Sequence, residues 1–226
     1  PTWTARGLAN SVGGQQGIAT FPVNKSLTVV SVYAVVKQTT LAANGFGFVF
    51  GSVANDSDAT GLAIASQTWG STMNDGFYFG GQFVRAVWDL VGDGKHHVVG
   101  GTYDGTVLRV YLDGLLVGER AVNGLSYSLK GLWTSYPSDA YGLIGENGPI
   151  IAYDVAHTQA EAKAAMTELA AISTSRGAVV AAPTTFLISE GDSQTSGEQV
   201  VGLSYHVLTA RALNLPTLKA AISGST

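Results

Sequence analysis

The chain has 226 residues, is 46% hydrophobic and only 12% charged, and contains 29 glycines and no cysteine, with a formal net charge of −4. This composition is too apolar for disorder and too glycine-rich for a helical bundle, which leaves an ordered, turn-rich β protein of one large domain, or one domain and part of another. The lack of cysteine excludes disulfides, thiolate metal sites and cysteine nucleophiles, and scattered Lys and Arg without a basic stripe argue against nucleic acid as a partner.

The chain opens at Pro1 with no initiator Met and nothing resembling a signal peptide, which reads as a processed or excised piece. Its longest apolar stretch, Leu27 to Val36, is interrupted by Ser31 and falls short of the ~20 residues that a spanning helix needs. From Thr20 to about Ile151, short segments rich in Val, Phe, Tyr and Thr alternate with Gly, Asn and Asp turns. Candidate strands are Ser26 to Val36, Gly45 to Phe50, Leu62 to Thr68, Gly76 to Phe79, Phe83 to Asp89, His96 to Tyr103, Thr106 to Leu112 and Leu115 to Val122. The last two form a hairpin on Asp113-Gly114, the residue pair that accepts the positive φ angles of a tight type I′ turn. Such spacing predicts an antiparallel sandwich or jelly roll.

Gly94-Lys95-His96-His97-Val98-Val99-Gly100-Gly101-Thr102-Tyr103-Asp104-Gly105-Thr106, followed by Leu108-Arg109-Val110-Tyr111-Leu112-Asp113-Gly114, resembles the signature of LamG-like, concanavalin-A-like jelly rolls. The resemblance runs from roughly Phe21 to Met166. Many members carry Trp just before the His, where this chain has Lys95. Adjacent strand residues face opposite sides, so His96 and His97 cannot readily chelate one ion and read as structural. Related jelly rolls sometimes hold calcium through loop oxygens, and the loop with Asn55, Asp56 and Asp58 is oxygen-rich in that way; no complete ligand spacing can be read there, so it reads as a solvated turn and no metal or cofactor is expected.

Thr158 to Ile172 predicts a helix, with Thr158 as cap, Glu161 completing a capping box, and Ala162, Ala165, Met166, Leu169 and Ile172 along the face that packs on the sandwich. Residues 177 to 185 have linker composition, so the expected organisation is a sandwich over 1–176, a linker over 177–185 and a second segment over 186–226. In that segment an apolar run, Phe186 to Ile188, leads into Gly191-Asp192-Ser193, a helix is expected over Leu203 to Leu213, and a small-residue turn, Ala221 to Thr226, follows.

Strand, serine turn, helix and second small-residue turn resemble the first two blocks of the SGNH (GDSL) hydrolases, esterases and carbohydrate deacetylases with an α/β, flavodoxin-like fold. The resemblance implies Ser193 as nucleophile, its N–H as one oxyanion donor, and Gly224 as the second-block glycine whose N–H is the next. The family's Asn and its Asp-x-x-His base have no match after Ser193 and are expected beyond this chain. A serine hydroxyl without a base is a weak nucleophile, so the piece alone is expected to be inactive. Asp154-Val155-Ala156-His157 does spell Asp-x-x-His, but it precedes Ser193 and reads as a strand end followed by a cap; His206 lies within the expected helix and is not assigned as the base.

All four tryptophans, Trp3, Trp69, Trp88 and Trp133, precede the linker. Trp88 reads as core, whereas Trp69, Trp133, Tyr136 and Tyr141 lie in Gly/Ser-rich surroundings as candidate platforms for sugar rings. The expectation is a carbohydrate-binding or attachment sandwich joined to a glycan ester hydrolase, outside the cytoplasm, at a cell surface or on a virion. A structural or adhesion protein, such as a phage or cell-surface spike assembled as an oligomer, is the competing class. A glucanase is disfavoured because the strand-borne Glu-x-Asp-x-x-Glu arrangement is absent.

Overall fold

A computed structural model of the chain describes residues 2–10, 18–40, 48–52, 61–65, 76–86, 90, 93–133, 143–181, 187–189 and 217–219. Two compact units divide it, Pro1–Ala181 and Ala182–Thr226. The first contains strands β1 (Thr2–Trp3), β2 (Leu8–Asn10), β3 (Ile18–Leu27), β4 (Val30–Thr40), β5 (Phe48–Ser52), β6 (Leu62–Ala65), β7 (Gly76–Phe79), β8 (Gln82–Arg85), β9 (His97–Tyr103), β10 (Val107–Leu112), β11 (Leu115–Ala121), β12 (Tyr127–Trp133) and β13 (Ile144–Tyr153), then helix α1 (Gln159–Ser175). Two strands, β14 (Leu187–Ser189) and β15 (Thr217–Lys219), are described in the second unit.

The first unit is the expected antiparallel jelly-roll sandwich. One sheet has the order β1-β2-β13-β4-β9-β10-β11 and the other β3-β12-β5-β6-β7-β8. Alternation along β4 sets its two faces. Tyr33 and Val35 join Val98 and Tyr111 beneath Ala162, Met166 and Leu169 of α1, while the residues between them face the other way. The seven-stranded sheet therefore has a helix on its outer face.

Gly100 and Gly101 explain how β9 can lie at the centre of that packing. A Cβ on Gly101 would enter the Phe77 ring of the opposite sheet, and one on Gly100 would enter the Tyr33 ring on the helix side. Each glycine removes a side chain so that a ring can lie directly on the backbone. The neighbouring hairpin turns as expected: Asp113 has φ 49° and Gly114 φ 82°.

Helix α1 begins on the predicted capping box. The Thr158 hydroxyl accepts the Glu161 N–H at 3.3 Å, and Glu161 accepts the Thr158 N–H at 2.7 Å. Its buried face includes Ser173 beside Ala162, Met166 and Leu169.

Some elements differ from the sequence reading. Ser26 to Val36 is not one strand, because β3 and β4 belong to different sheets and the chain changes sheet at Thr28-Val29, with neither Gly nor Pro to mark the corner. β12 was not anticipated, and of β13 only the end, read at Asp154 before the cap of the helix, was. β13 contains Gly145, Gly148 and Pro149, residues that read as turn punctuation, and it accommodates them through register shifts after Ile144 and after Asn147. The opening of the stretch read as linker is tied into the sandwich: Ala178 is buried, the His96 N–H donates to Val179 O at 2.7 Å, and the Ala181 N–H donates to His96 O at 2.8 Å. In the second unit β14 and β15 pair in parallel, with Leu187 opposite Thr217 and Ser189 opposite Lys219.

Candidate functional site

Most residues singled out in the sequence lie outside the described residues: Trp69, Tyr136 and Tyr141 among the aromatic platforms, Asn55, Asp56 and Asp58 of the calcium loop, Ser193 and Gly224 of the hydrolase blocks, and Trp88 and His206. Trp133 is in β12, opposite Ile18 of β3 and Gly51 of β5. It is therefore a strand residue of the six-stranded sheet. Among the described residues, no group of three His, Cys, Asp or Glu side chains is arranged to hold a metal.

The histidine pair does face two ways. His97 Nδ1 lies 2.8 Å from Asp113 Oδ2, and its Nε2 lies 3.1 Å from Asp93 Oδ2. Both partners are carboxylates, which accept hydrogen bonds when ionised, so both ring nitrogens donate. Burial alone would depress the His97 pKa, but the hydrogen bond and charge of Asp113, with those of Asp93, raise it above the ordinary value. Asp113 also accepts the Val98 N–H at 2.8 Å, so one carboxylate ties the hairpin turn to β9.

His96 points to the other face, where its Nε2 lies 2.8 Å from Glu146 Oε2. Arg6 completes this group with two bonds to Glu146, at 2.9 and 2.7 Å. The Arg6 hydrogen bond is the largest influence on Glu146; with His96 and against partial burial, it holds that carboxyl down at about 2.

A second polar cluster lies on the helix side of the seven-stranded sheet. Asp104, Arg109, Leu116 and Glu119 from the sheet, with Ala156, His157, Thr158 and Gln159 at the start of α1, line an open cleft of about 470 Å³. Asp104 is fixed by its own turn: Oδ1 accepts from the Thr106 N–H, the Thr106 hydroxyl and the Val107 N–H, and Oδ2 accepts from Arg109 Nη1 at 2.6 Å. Partial burial opposes ionisation of Asp104, but the bonds from Arg109, Thr106 and Val107 outweigh it and hold its pKa well below the carboxylate range. Arg109 Nε is 3.6 Å from Glu119, a more exposed carboxylate.

Across the cleft, His157 stacks on Tyr33 with ring centroids 5.7 Å apart, and its Nδ1 lies 3.0 Å from the Tyr33 hydroxyl. Burial pushes the Tyr33 pKa up. The His157 N–H donates to Ser31 Oγ at 2.8 Å, and Ser31 donates onward to Val155 O at 2.8 Å. This pins the turn that precedes α1. Asp154, at the other end of the Asp-x-x-His string, pairs instead with Lys25 at 2.6 Å. The sequence reading missed the cleft because its walls come from β10, β11 and the entry to α1, far apart in the chain; the Asp104 to Arg109 stretch was legible only as part of a family signature.

No protein-family model matches the chain, and no curated protein matches it in sequence. Solved structures match it in shape. Domain 4 of AbnA, a GH43 extracellular arabinanase from Geobacillus stearothermophilus, solved in complex with arabinotriose, is 16% identical with a TM-score of 0.50, the match covering 69% of this chain and 85% of that one. A protein from Bacteroides ovatus assigned to carbohydrate binding is 15% identical with a TM-score of 0.52; the match covers 69% of this chain but only 47% of that one. At such identities the likeness defines a class by fold, the antiparallel jelly-roll β-sandwich. Among the described residues no helix is long and apolar enough to cross a membrane.

Proposed function

We propose that the first unit binds carbohydrate, or attaches the protein to a glycan-bearing surface, and that residues 186–226 begin a serine ester hydrolase acting on glycan esters such as O-acetyl groups. The carrying observation is the jelly-roll fold shared with an arabinanase domain solved with arabinotriose. Trp69, Trp133, Tyr136 and Tyr141 are the proposed sugar platforms, since aromatic faces pack on the C–H faces of sugar rings. Such a role suits a protein outside the cytoplasm, at a cell surface or on a virion. The proposed division is a sandwich followed by a hydrolase segment from 186; of the stretch 177–185 expected as a linker, the part up to Ala181 belongs to the first unit.

Support for the hydrolase reading comes from the parallel pairing of β14 and β15, because parallel neighbours require a crossover connection, and Ser193 follows the first of them in sequence. Ser193 would attack the ester carbonyl, with its own N–H and that of Gly224 holding the oxyanion. No Asp-x-x-His follows Ser193 in these residues, and the reading assigns Ser193 no base.

A glycan array tests the binding reading. The wild-type chain binds at least one glycan, and Trp69→Ala or Trp133→Ala weakens that binding by about tenfold or more; a blank array overturns it. For the ester reading, the chain hydrolyses p-nitrophenyl acetate no faster than its Ser193→Ala variant. Hydrolysis that depends on Ser193 would show that the base is already present.

A further inference from the structure

We infer that the cleft between β10, β11 and the start of α1 is a second saccharide site, built for the paired hydroxyls of a neutral sugar. The inference rests on the reading of the sandwich as a glycan binder, but it places the contact on side chains other than the aromatic platforms.

Arg109 is the central group. Its Nη1 is committed to Asp104, which is itself locked by Thr106 and Val107, so the guanidinium is held in place without help from a ligand. Its remaining N–H donors have no hydrogen-bond partner among the described residues, and the Glu119 carboxylate lies beside it, 3.6 Å from Nε and beyond hydrogen-bonding distance. A fixed donor and a neighbouring acceptor match a vicinal diol, each of whose hydroxyls both donates and accepts. Leu116 and Ala156 give the same cleft an apolar surface for the C–H side of the ring, and His157 and Gln159 add polar groups on the opposite wall. The volume, about 470 Å³, lies within the range of small-ligand pockets.

Charge decides the class of sugar. Two carboxylates, Asp104 and Glu119, stand against one guanidinium, so its positive charge is more than balanced before any ligand arrives. An acidic sugar or a phosphate would meet net repulsion there, even with the helix N-terminus close by. A neutral saccharide loses nothing to that field and uses both signs of hydrogen-bonding group.

The test uses the full chain with arabinotriose as the neutral probe and 3′-sialyllactose as the acidic one, followed by nuclear magnetic resonance and calorimetry. Arabinotriose is expected to shift the Arg109 side-chain N–H and the Gln159 backbone amide, while sialyllactose leaves both unmoved. Glu119→Ala and Gln159→Trp, both at exposed positions, are expected to weaken arabinotriose binding by about tenfold or more without changing the melting temperature. Arabinotriose binding that is lost in Trp69→Ala or Trp133→Ala but unchanged in both cleft variants would overturn the cleft site and leave the glycan-binding reading standing. If neither probe binds, the cleft assignment falls, and the glycan array then decides the broader reading separately. Stronger shifts with sialyllactose than with arabinotriose would overturn the assignment to neutral sugars.

Discussion

Replacing His97 with Gln isolates the contribution of a charged ring held between two carboxylates. In the wild type, His97 donates to Asp113 at 2.8 Å and to Asp93 at 3.1 Å, and its pKa is raised above the ordinary 6.5. A raised folded pKa means that the stabilisation is fully present below the unfolded value, near pH 6.5, and is lost as pH climbs through the folded value. A hydrogen bond to a charged group contributes about 1.5–3 kcal/mol. The Asp113 bond is buried and takes the full range, whereas Asp93 is 39% exposed in its side chain and adds little. His97→Gln is therefore expected to cost about 2–3 kcal/mol near pH 6, with the penalty shrinking as pH rises through the raised folded pKa of His97.

Urea unfolding followed by tryptophan fluorescence suits the measurement, because all four tryptophans fall within Pro1–Ala181 and the signal reports that unit alone. Two results would refute the reasoning. Wild-type and variant stabilities could run parallel from low to high pH, or His97 could titrate below 6.5 when followed by its ring proton resonances.

Other expectations follow from the packing and the charges. Gly101→Ala places a methyl group against the Phe77 ring and is expected to cost about 1–3 kcal/mol, read as a melting temperature lower by several degrees. Thr158→Ala removes the acceptor of the Glu161 N–H and costs about 1 kcal/mol, measured by thermal unfolding. Glu146 is depressed to about 2, so its pairing with Arg6 and His96 is present above its unfolded value of 4.5 and fades as pH falls toward 2. An acid titration should accordingly show a loss of stability in that window that Glu146→Gln lacks.

Local chemistry was legible in the sequence and long-range assembly was not. Asp113-Gly114 announced its turn because only certain residues accept positive φ, and the Thr158/Glu161 box announced the helix because both members lie within one turn of chain. The corner at Thr28-Val29 was hidden because Val and Thr suit a strand equally well on either side of a change of sheet. The course of β13 ahead of the strand end read at Asp154 was hidden for the opposite reason: Gly148 and Pro149 look like an interruption, yet pairing with β4 resumes at Ile150. His96 and His97 were placed on opposite faces correctly, but Glu146, the partner of His96, is fifty residues away and no spacing rule points to it. For the same reason Arg109 could be seen as part of a strand signature but not as one wall of a cleft.

The bare backbone at Gly100 and Gly101 has a further consequence. Rings occupy both places where side chains would stand, one from the neighbouring strand β4 and one from the opposite sheet, so β9 is clamped from above and below and hydrogen-bonded on both sides by β4 and β10. Opening this strand means lifting two aromatic rings and breaking two ladders together. Its amides should therefore be among the slowest in the protein to exchange with solvent, requiring unfolding of the whole sandwich. The His-Val-Val-Gly-Gly-Thr-Tyr stretch is then a keystone of the architecture, the strand on which both layers and the helix-side packing close.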